Sequence, residues 1–96
     1  MYDMSRERVH FLISFSNIMG TRKEILYKSD AKRTEIQEIL NRHNENGCKI
    51  KYPGIYCGIT EGKTAKGYVQ AKLTVCGDYS GLIREVKEAK CEVIQL

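Results

Sequence analysis

The sequence predicts a single α+β domain in which two helices cover one face of an antiparallel β-sheet. Three observations predict this architecture: apolar and polar residues alternate in several short segments, apolar residues recur at helical spacing in two others, and the two kinds of segment follow a recognisable order. The 96 residues suffice for one domain, residues 1–96, with a modest core. A composition with 42% hydrophobic and 29% charged residues is ordinary for a globular protein.

The first strand is predicted over residues 8–16, RVHFLISFS, where apolar odd-numbered residues alternate with a more polar even-numbered series. Leu12, in the even series, makes both faces partly apolar, which favours a place inside the sheet. The next residues, 17–28, contain the turn signal Gly20–Lys23 before the apolar group Ile25–Tyr27. They predict either an extra short edge strand or a long loop.

The first helix is predicted to begin at Ser29 or Asp30, because both residue types favour the N-cap position. Apolar residues then recur at helical spacing, and Asn46-Gly47 gives a stop signal. The members of this stripe are Ile36, Ile39, Leu40 and His43. Since His43 is polar and falls near the helix end, we interpret it as an imidazole beside the terminal carbonyl groups rather than as a ligand or catalyst.

The stretch Cys48–Cys76 predicts a central hairpin of two strands joined by a turn at Glu61–Thr64. One face of this hairpin is apolar and predicts core, with Ile55, Cys57, Ile59, Val69, Ala71, Leu73 and Val75. The opposite face carries Tyr56, Gly58, Thr60, Tyr68, Gln70, Lys72 and Thr74. A half-polar face of this kind is either left to water or used for binding.

A second helix is predicted after a cap at Asp78 or Ser80, and Cys91–Leu96 predicts a final strand. The inward stripe of the second helix consists of Tyr79, Leu82, Ile83, Val86 and Ala89. The resulting order is strand, helix, strand, strand, helix, strand, the split βαβ pattern of the ferredoxin-like sandwich with four antiparallel strands and two helices on one face. In that arrangement the first strand lies beside the third, so His10, Leu12 and Ser14 would flank Tyr68, Gln70 and Lys72 on the uncovered face.

Charge and aromatic residues coincide in the hairpin. The run Gly47–Lys72 holds five lysines and a single acid, Glu61, so it accounts for the whole formal net charge of +4. Tyrosine rings stack on nucleobases while nearby lysines neutralise phosphate. The candidate binding residues are Lys49, Lys51, Tyr56, Lys63, Lys66, Tyr68, Gln70 and Lys72, extended by Arg22 and Lys23 on the preceding turn.

Lys66-Gly67-Tyr68, followed by Val69-Gln70-Ala71, resembles the start of the RNP1 signature of RNA-recognition motif domains, whose element order is the same. The resemblance implies base stacking on Tyr68. It extends over about three residues of the signature, and Gln70 stands where that family has its second stacking aromatic. We therefore assign no family from this resemblance.

Gly54-Ile55-Tyr56 and the later Tyr68-Val69-Gln70 resemble the two-strand signature of GIY-YIG nucleases. The resemblance implies that Tyr56, Tyr68 and a helical arginine, Arg84, act together at a phosphodiester. Gln70 departs from the second motif, and an ordinary hairpin with tyrosines at favourable strand positions explains the same pattern. The segment Gly58–Thr64 also resembles a phosphate-binding P-loop, but it has three residues between its glycines instead of four and joins two strands.

These observations predict a small non-enzymatic protein that binds nucleic acid, either RNA or single-stranded DNA, through the hairpin. The alternative is a protein-interaction module, an inhibitor or regulator of the kind phages and mobile elements encode, that docks on an acidic surface of a larger partner. Self-association as a homodimer is a further expectation. Four cysteines without a close pair predict reduced, mostly buried thiols and no metal or other cofactor, the alternative being a disulfide between facing strands that an oxidising compartment would sustain. Because no apolar run has the pattern of a membrane span or a signal peptide, we expect a cytoplasmic location.

Overall fold

The computed structural model describes residues 8–96, which form five strands and two helices. In chain order these elements are β1 (Arg8–Ile18), α1 (Arg22–Glu45), β2 (Lys49–Lys51), β3 (Tyr56–Thr60), β4 (Lys66–Cys76), α2 (Ser80–Glu88) and β5 (Glu92–Gln95). The α+β prediction is therefore confirmed, with two helices and an antiparallel sheet.

The sheet has five strands where the sequence predicted four. Its order is β2-β4-β1-β5, and β3 also pairs with β4. β2 lies against the end of β4 at Thr74–Cys76, whereas β3 lies against its beginning at Lys66–Gln70. The predicted first strand of the hairpin is thus divided into two short strands, because residues 52–55 contain Pro53 and leave the ladder.

α1 begins at Arg22, seven or eight residues before the predicted cap at Ser29 or Asp30. The capping residue is Thr21, whose Oγ1 accepts a hydrogen bond from the Glu24 backbone N–H (3.2 Å), while Glu24 Oε1 accepts one from the Thr21 N–H (3.2 Å). This reciprocal pair is a capping box, which satisfies two backbone donors at the helix start. Residues 17–28, predicted as an edge strand or a loop, are therefore the end of β1 and the first two turns of α1.

Both helices cover the same face of the sheet, and the core lies between them and the strands. The alternation predicted for β4 is confirmed, since its odd-numbered residues from Gly67 to Val75 are all buried. The fully buried side chains are Ile13, Ile25, Ile36, Leu40, Val69, Leu73, Val75, Leu82 and Val86. The faces of this sheet are consequently unlike: one is dry core, and the other is covered by neither helix.

Gly67 allows α1 to approach β4 closely. A Cβ atom at this position would lie 2.5 Å from Ile25 Cγ2 and 3.2 Å from Ser29 Oγ, both on α1. Ile25 is fully buried at this contact. The absence of a side chain on Gly67 therefore sets how tightly the first turns of α1 pack on the sheet.

A polar cluster joins the end of α1 to α2. His43 Nε2 lies 2.6 Å from Glu85 Oε2, and Arg42 Nη1 lies 2.6 Å from Glu85 Oε1. The hydrogen bond from His43 and the added contact with Arg42 hold the pKa of the Glu85 carboxyl below its ordinary value, against a smaller opposing effect of burial. His43 therefore lies at the helix end, as predicted, where it contacts the second helix.

α2 and β5 occupy the predicted segments. The N-cap residue of α2 is Tyr79 rather than the predicted Asp78 or Ser80, and its side chain makes no capping hydrogen bond. Asp78, one residue earlier, still satisfies a donor at the helix start, because its Oδ1 accepts hydrogen bonds from the Ser80 N–H (3.1 Å) and hydroxyl (2.8 Å). β5 pairs with β1, with Leu12 opposite Ile94. Neither helix within residues 8–96 combines the length and apolar character that crossing a membrane requires.

Candidate functional site

The candidate site is the sheet face that neither helix covers, which we call the open face. Directly opposed residues of antiparallel strands point to the same side of a sheet. The register therefore assigns to this face Arg8, His10, Leu12 and Ser14 of β1, Lys49 and Lys51 of β2, Tyr56, Gly58 and Thr60 of β3, Lys66, Tyr68, Gln70, Lys72, Thr74 and Cys76 of β4, and Glu92 and Ile94 of β5. Two of the predicted pairs are confirmed, Leu12 opposite Lys72 and Ser14 opposite Gln70. His10 instead lies opposite Thr74, and Tyr68 lies beside the irregular part of β1 between Phe15 and Ile18.

The two tyrosines of the open face lie near the hairpin turn. Tyr56 is opposite Gln70 and is 56% exposed, so its ring is available to a ligand. The ring of Tyr68 lies across the neighbouring strand over Gly58, where a Cβ atom would collide with the ring tip and hydroxyl. An aromatic ring that covers a cross-strand glycine lies along the sheet surface with one side against the backbone.

The division of the second strand explains why lysines and tyrosines share this face. Lys51 and Tyr56 are five positions apart, and a regular strand would place them on opposite sides. Four residues, 52–55, stand opposite only three residues of β4, 71–73. The extra residue shifts the alternation of side-chain directions by one position, so both Lys51 and Tyr56 lie on the open face.

A basic depression lies at the far end of the open face from the tyrosines. It has a volume of about 440 Å³ and is lined by Arg8, Lys49, Lys51, Thr74 and Cys76. Arg8 and Lys49 are both opposite Cys76, one on each side of β4, and Lys51 is opposite Thr74. No carboxylate lines this depression within the described part of the chain.

Arg8 was not among the residues predicted for the site. It is separated from Lys49 by a helix, and only the β1–β4–β2 register brings the two side chains together. The signal that could have identified it is the even-numbered series of β1, which the sequence already assigned to the open face. Extending that series back from His10 reaches Arg8.

The residues predicted around the hairpin turn have different surroundings. Lys63 is exposed in the turn and Lys66 lies on the open face opposite Thr60. Arg22, at the first position of α1, forms an ion pair with Glu61 of the turn, so its charge is compensated within the chain. Lys23 lines a shallow depression on α1, beside Tyr27 and away from the open face.

The structure does not bring together the three residues that the nuclease resemblance implied. Tyr56 and Tyr68 lie on the open face, whereas Arg84 lies on α2, which packs on the opposite side of the sheet. Arg84 lines a separate cleft of about 760 Å³ between α2 and β5, with Tyr79, Ile83 and Val93. Residues 61–65 connect two strands, so the P-loop geometry is also not formed.

The cysteines of residues 8–96 have different surroundings, and the acids there form no metal-holding cluster. Cys48 and Cys91 are buried, and this burial raises the pKa of both thiols, which favours the unreactive protonated form. Cys57, predicted as core, is exposed because it lies on the short strand β3 at the sheet edge. Within residues 8–96 no group of three or more histidine, cysteine, aspartate or glutamate side chains is placed to hold a metal ion.

Comparison with known proteins does not assign this chain to a family. No protein-family model matches it, and no curated protein matches it. Among solved structures, the de novo designed protein Ferredog-Diesel is similar with a TM-score of 0.44 and 17% identity, over 98% of this chain and 89% of the designed one. A putative amidohydrolase/peptidase from Burkholderia cenocepacia has a TM-score of 0.45 and 8% identity, and the match spans 93% of this chain but only 27% of that protein. At these scores neither likeness bears on the function of this chain.

Proposed function

We propose that this protein binds single-stranded nucleic acid on the open face of its sheet, and that its fold is a ferredoxin-like sandwich whose second strand is divided into β2 and β3. The observation that carries the proposal is the strand register. It assigns Lys49, Lys51, Tyr56, Tyr68 and Lys72 to one face that no helix covers.

The chemistry of this face suits a polyanion with aromatic bases. Each base stacked on a tyrosine contributes roughly 1–3 kcal/mol, and lysines add an electrostatic attraction that salt weakens. Among residues 8–96 the acid that the register assigns to this face is Glu92, opposite Ser14 on the far side of β1 from the tyrosines. The path along β4, from Lys66 to Lys72, is consequently basic and aromatic.

Single strands fit this surface better than duplexes. Tyr68 lies along the sheet over Gly58, and a ring in that position can stack only on a base whose flat side is accessible. The bases of a duplex are stacked on one another and hide those sides. Either RNA or single-stranded DNA satisfies this requirement.

The test is fluorescence anisotropy with labelled single-stranded and duplex DNA and RNA, at low and at physiological salt. The variant Tyr56→Ala/Tyr68→Ala removes the stacking rings, and Tyr27→Ala, which removes a tyrosine that is 77% exposed on α1, is the matched control. We expect single strands to bind, the double variant to bind at least tenfold more weakly at both salt concentrations, and the control to match the wild type.

Two results would contradict the proposal. Binding that the tyrosine changes do not affect would leave only a general attraction between a basic protein and a polyanion. No binding by the wild type at physiological salt would favour the alternative, a module whose lysines and tyrosines contact an acidic protein surface.

A further inference from the structure

Three cationic side chains share the basic depression and have no partner of opposite charge among residues 8–96. Arg8, Lys49 and Lys51 form no ion pair within the described residues, whereas Arg22, Lys32, Arg33 and Arg42 each contact a carboxylate. Like charges held close together repel each other, and an anion bound among them removes that cost. The arrangement therefore favours an anionic ligand.

The geometry allows all three cations to reach one anion. Neighbouring strands lie about 4.8 Å apart, so the backbones of Arg8 and Lys49, one strand away on each side of Cys76, are roughly 10 Å apart. Lys51 is two residues from Lys49, or about 7 Å along β2. Arginine and lysine side chains are long enough to converge over the residues between them, and the guanidinium group can donate two parallel hydrogen bonds to a phosphate.

We propose that the basic depression binds one phosphate group of the nucleic-acid strand, with Arg8, Lys49 and Lys51 as its ligands, while the bases that follow extend along β4 toward Tyr68 and Tyr56. This inference rests on the proposed function and divides the open face into a phosphate end and a stacking end. Thr74, beside the depression, is six residues from Tyr68 on β4, which is about 20 Å. The ligand must therefore be several nucleotides long to occupy both ends.

The experiment measures the salt dependence of oligothymidylate binding for three proteins. They are the wild type, the variant Arg8→Gln/Lys49→Gln/Lys51→Gln, and a control with the same loss of charge on the α2 side, Arg84→Gln/Lys87→Gln/Lys90→Gln. For single strands, the slope of log K against log salt changes by about 0.7 for each phosphate neutralised. We expect the first variant to lose about 0.7 of slope and at least tenfold in affinity at low salt, and the control to lose much less.

Oligonucleotide length and end chemistry sharpen the test. The phosphate bound in the depression belongs either to the end of the strand or to its backbone, and oligonucleotides with and without a terminal phosphate distinguish the two. If removing the terminal phosphate abolishes the difference in affinity between the wild type and the triple variant, the ligand is a terminal phosphate. If the difference remains, the ligand is a backbone phosphate. Thymidine dinucleotides are too short to reach the tyrosines, so we expect their binding to be insensitive to Tyr56→Ala/Tyr68→Ala.

Several outcomes would overturn the inference. An unchanged slope in the first variant excludes a phosphate contact there, a loss of about 2 indicates three separate phosphates rather than one shared site, and equal losses in the control indicate a general effect of net charge. Failure of the proposed function is distinguishable, because the wild type would then show no tyrosine-dependent binding of any oligonucleotide. Thermal unfolding checks that each variant is folded, and Lys49→Gln/Lys51→Gln replaces the triple variant if that one is not.

Discussion

At the scale of single residues, two glycines of the sheet have opposite roles. Gly67 faces the core and admits α1, while Gly58 faces outward beneath the ring of Tyr68. Both are in strands, where a glycine weakens the strand unless a close approach requires it. Alanine at either position introduces the same methyl group, so the two substitutions separate packing from binding.

Gly67→Ala is expected to destabilise the fold by roughly 1–3 kcal/mol, because the methyl group would overlap Ile25 in a filled core and force α1 away from β4. Urea denaturation followed by circular dichroism measures this change. Gly62→Ala is the matched control, since a Cβ there meets nothing within 4 Å. A Gly67→Ala variant as stable as the Gly62→Ala variant would contradict the close α1–β4 contact.

Gly58→Ala is expected to leave stability nearly unchanged, because the methyl group meets the movable end of the Tyr68 side chain rather than backbone. The ring must lift off the sheet, and oligonucleotide affinity should fall by about 1 kcal/mol, roughly fivefold. The measurement is anisotropy at physiological salt together with the urea midpoint. Unaltered affinity with a displaced ring would mean that Tyr68 does not stack on a base.

At the scale of elements, the start of α1 was harder to predict than its middle or its end, where Asn46 is the C-cap residue as the stop signal indicated. The apolar stripe from Ile36 to Leu40 indicated a helix correctly, because residues three and four positions apart lie on one side of an α-helix whatever packs against it. The predicted start is too late, since Ser29 and Asp30 are as good cap residues by type as Thr21. Ser29 is in fact buried in mid-helix. The distinguishing signal was Glu24 three residues after Thr21, which completes a capping box.

The contact between the helices predicts a pH-dependent stability. Glu85→Gln should lower the free energy of unfolding by about 1 kcal/mol at neutral pH, because the variant loses charge-assisted hydrogen bonds from His43 and Arg42. The folded pKa of Glu85 lies below its ordinary value of 4.5, so this contribution is present above pH 4.5 and is lost as the pH falls through the folded pKa.

Denaturation of the wild type and of Glu85→Gln across the acidic range measures the difference between their free energies of unfolding. We expect this difference to be constant down to about pH 4.5 and to shrink below that value. Glu88→Gln, on the same helix and in no ion pair within the described residues, should show no comparable loss. A difference that grows as the pH falls would contradict the interaction.

At the scale of the whole molecule, part of the candidate site was predictable and part was not. The alternation within β1 and β4 was enough to assign Leu12 and Lys72 to one face, because a strand's faces follow from its period of two. The basic depression was not predictable in the same way, since its members come from strands separated by α1. The sequence also could not indicate that residues 52–55 leave the ladder, because that depends on how many residues of β4 stand opposite them.

The divided strand leads to a prediction about the sheet as a whole. Residues 52–55 number one more than the residues of β4 that they span, and Pro53 cannot donate a ladder hydrogen bond. Deleting Pro53 leaves Tyr52 and Ile55 toward the core and Lys51 and Tyr56 on the open face. The shortened chain should therefore join β2 and β3 into one continuous strand and give a four-stranded sheet with the same binding surface. Slower amide exchange across positions 52–56, with unchanged oligonucleotide affinity, is the expected result.

Deleting Cys57 is the control, because it removes a residue from within the paired strand and turns Tyr56 toward the core. This deletion should destabilise the protein by more than about 1 kcal/mol. If both deletions destabilised the protein equally, the fold would require all four residues of segment 52–55, and Pro53 would not be the one extra residue that the register indicates.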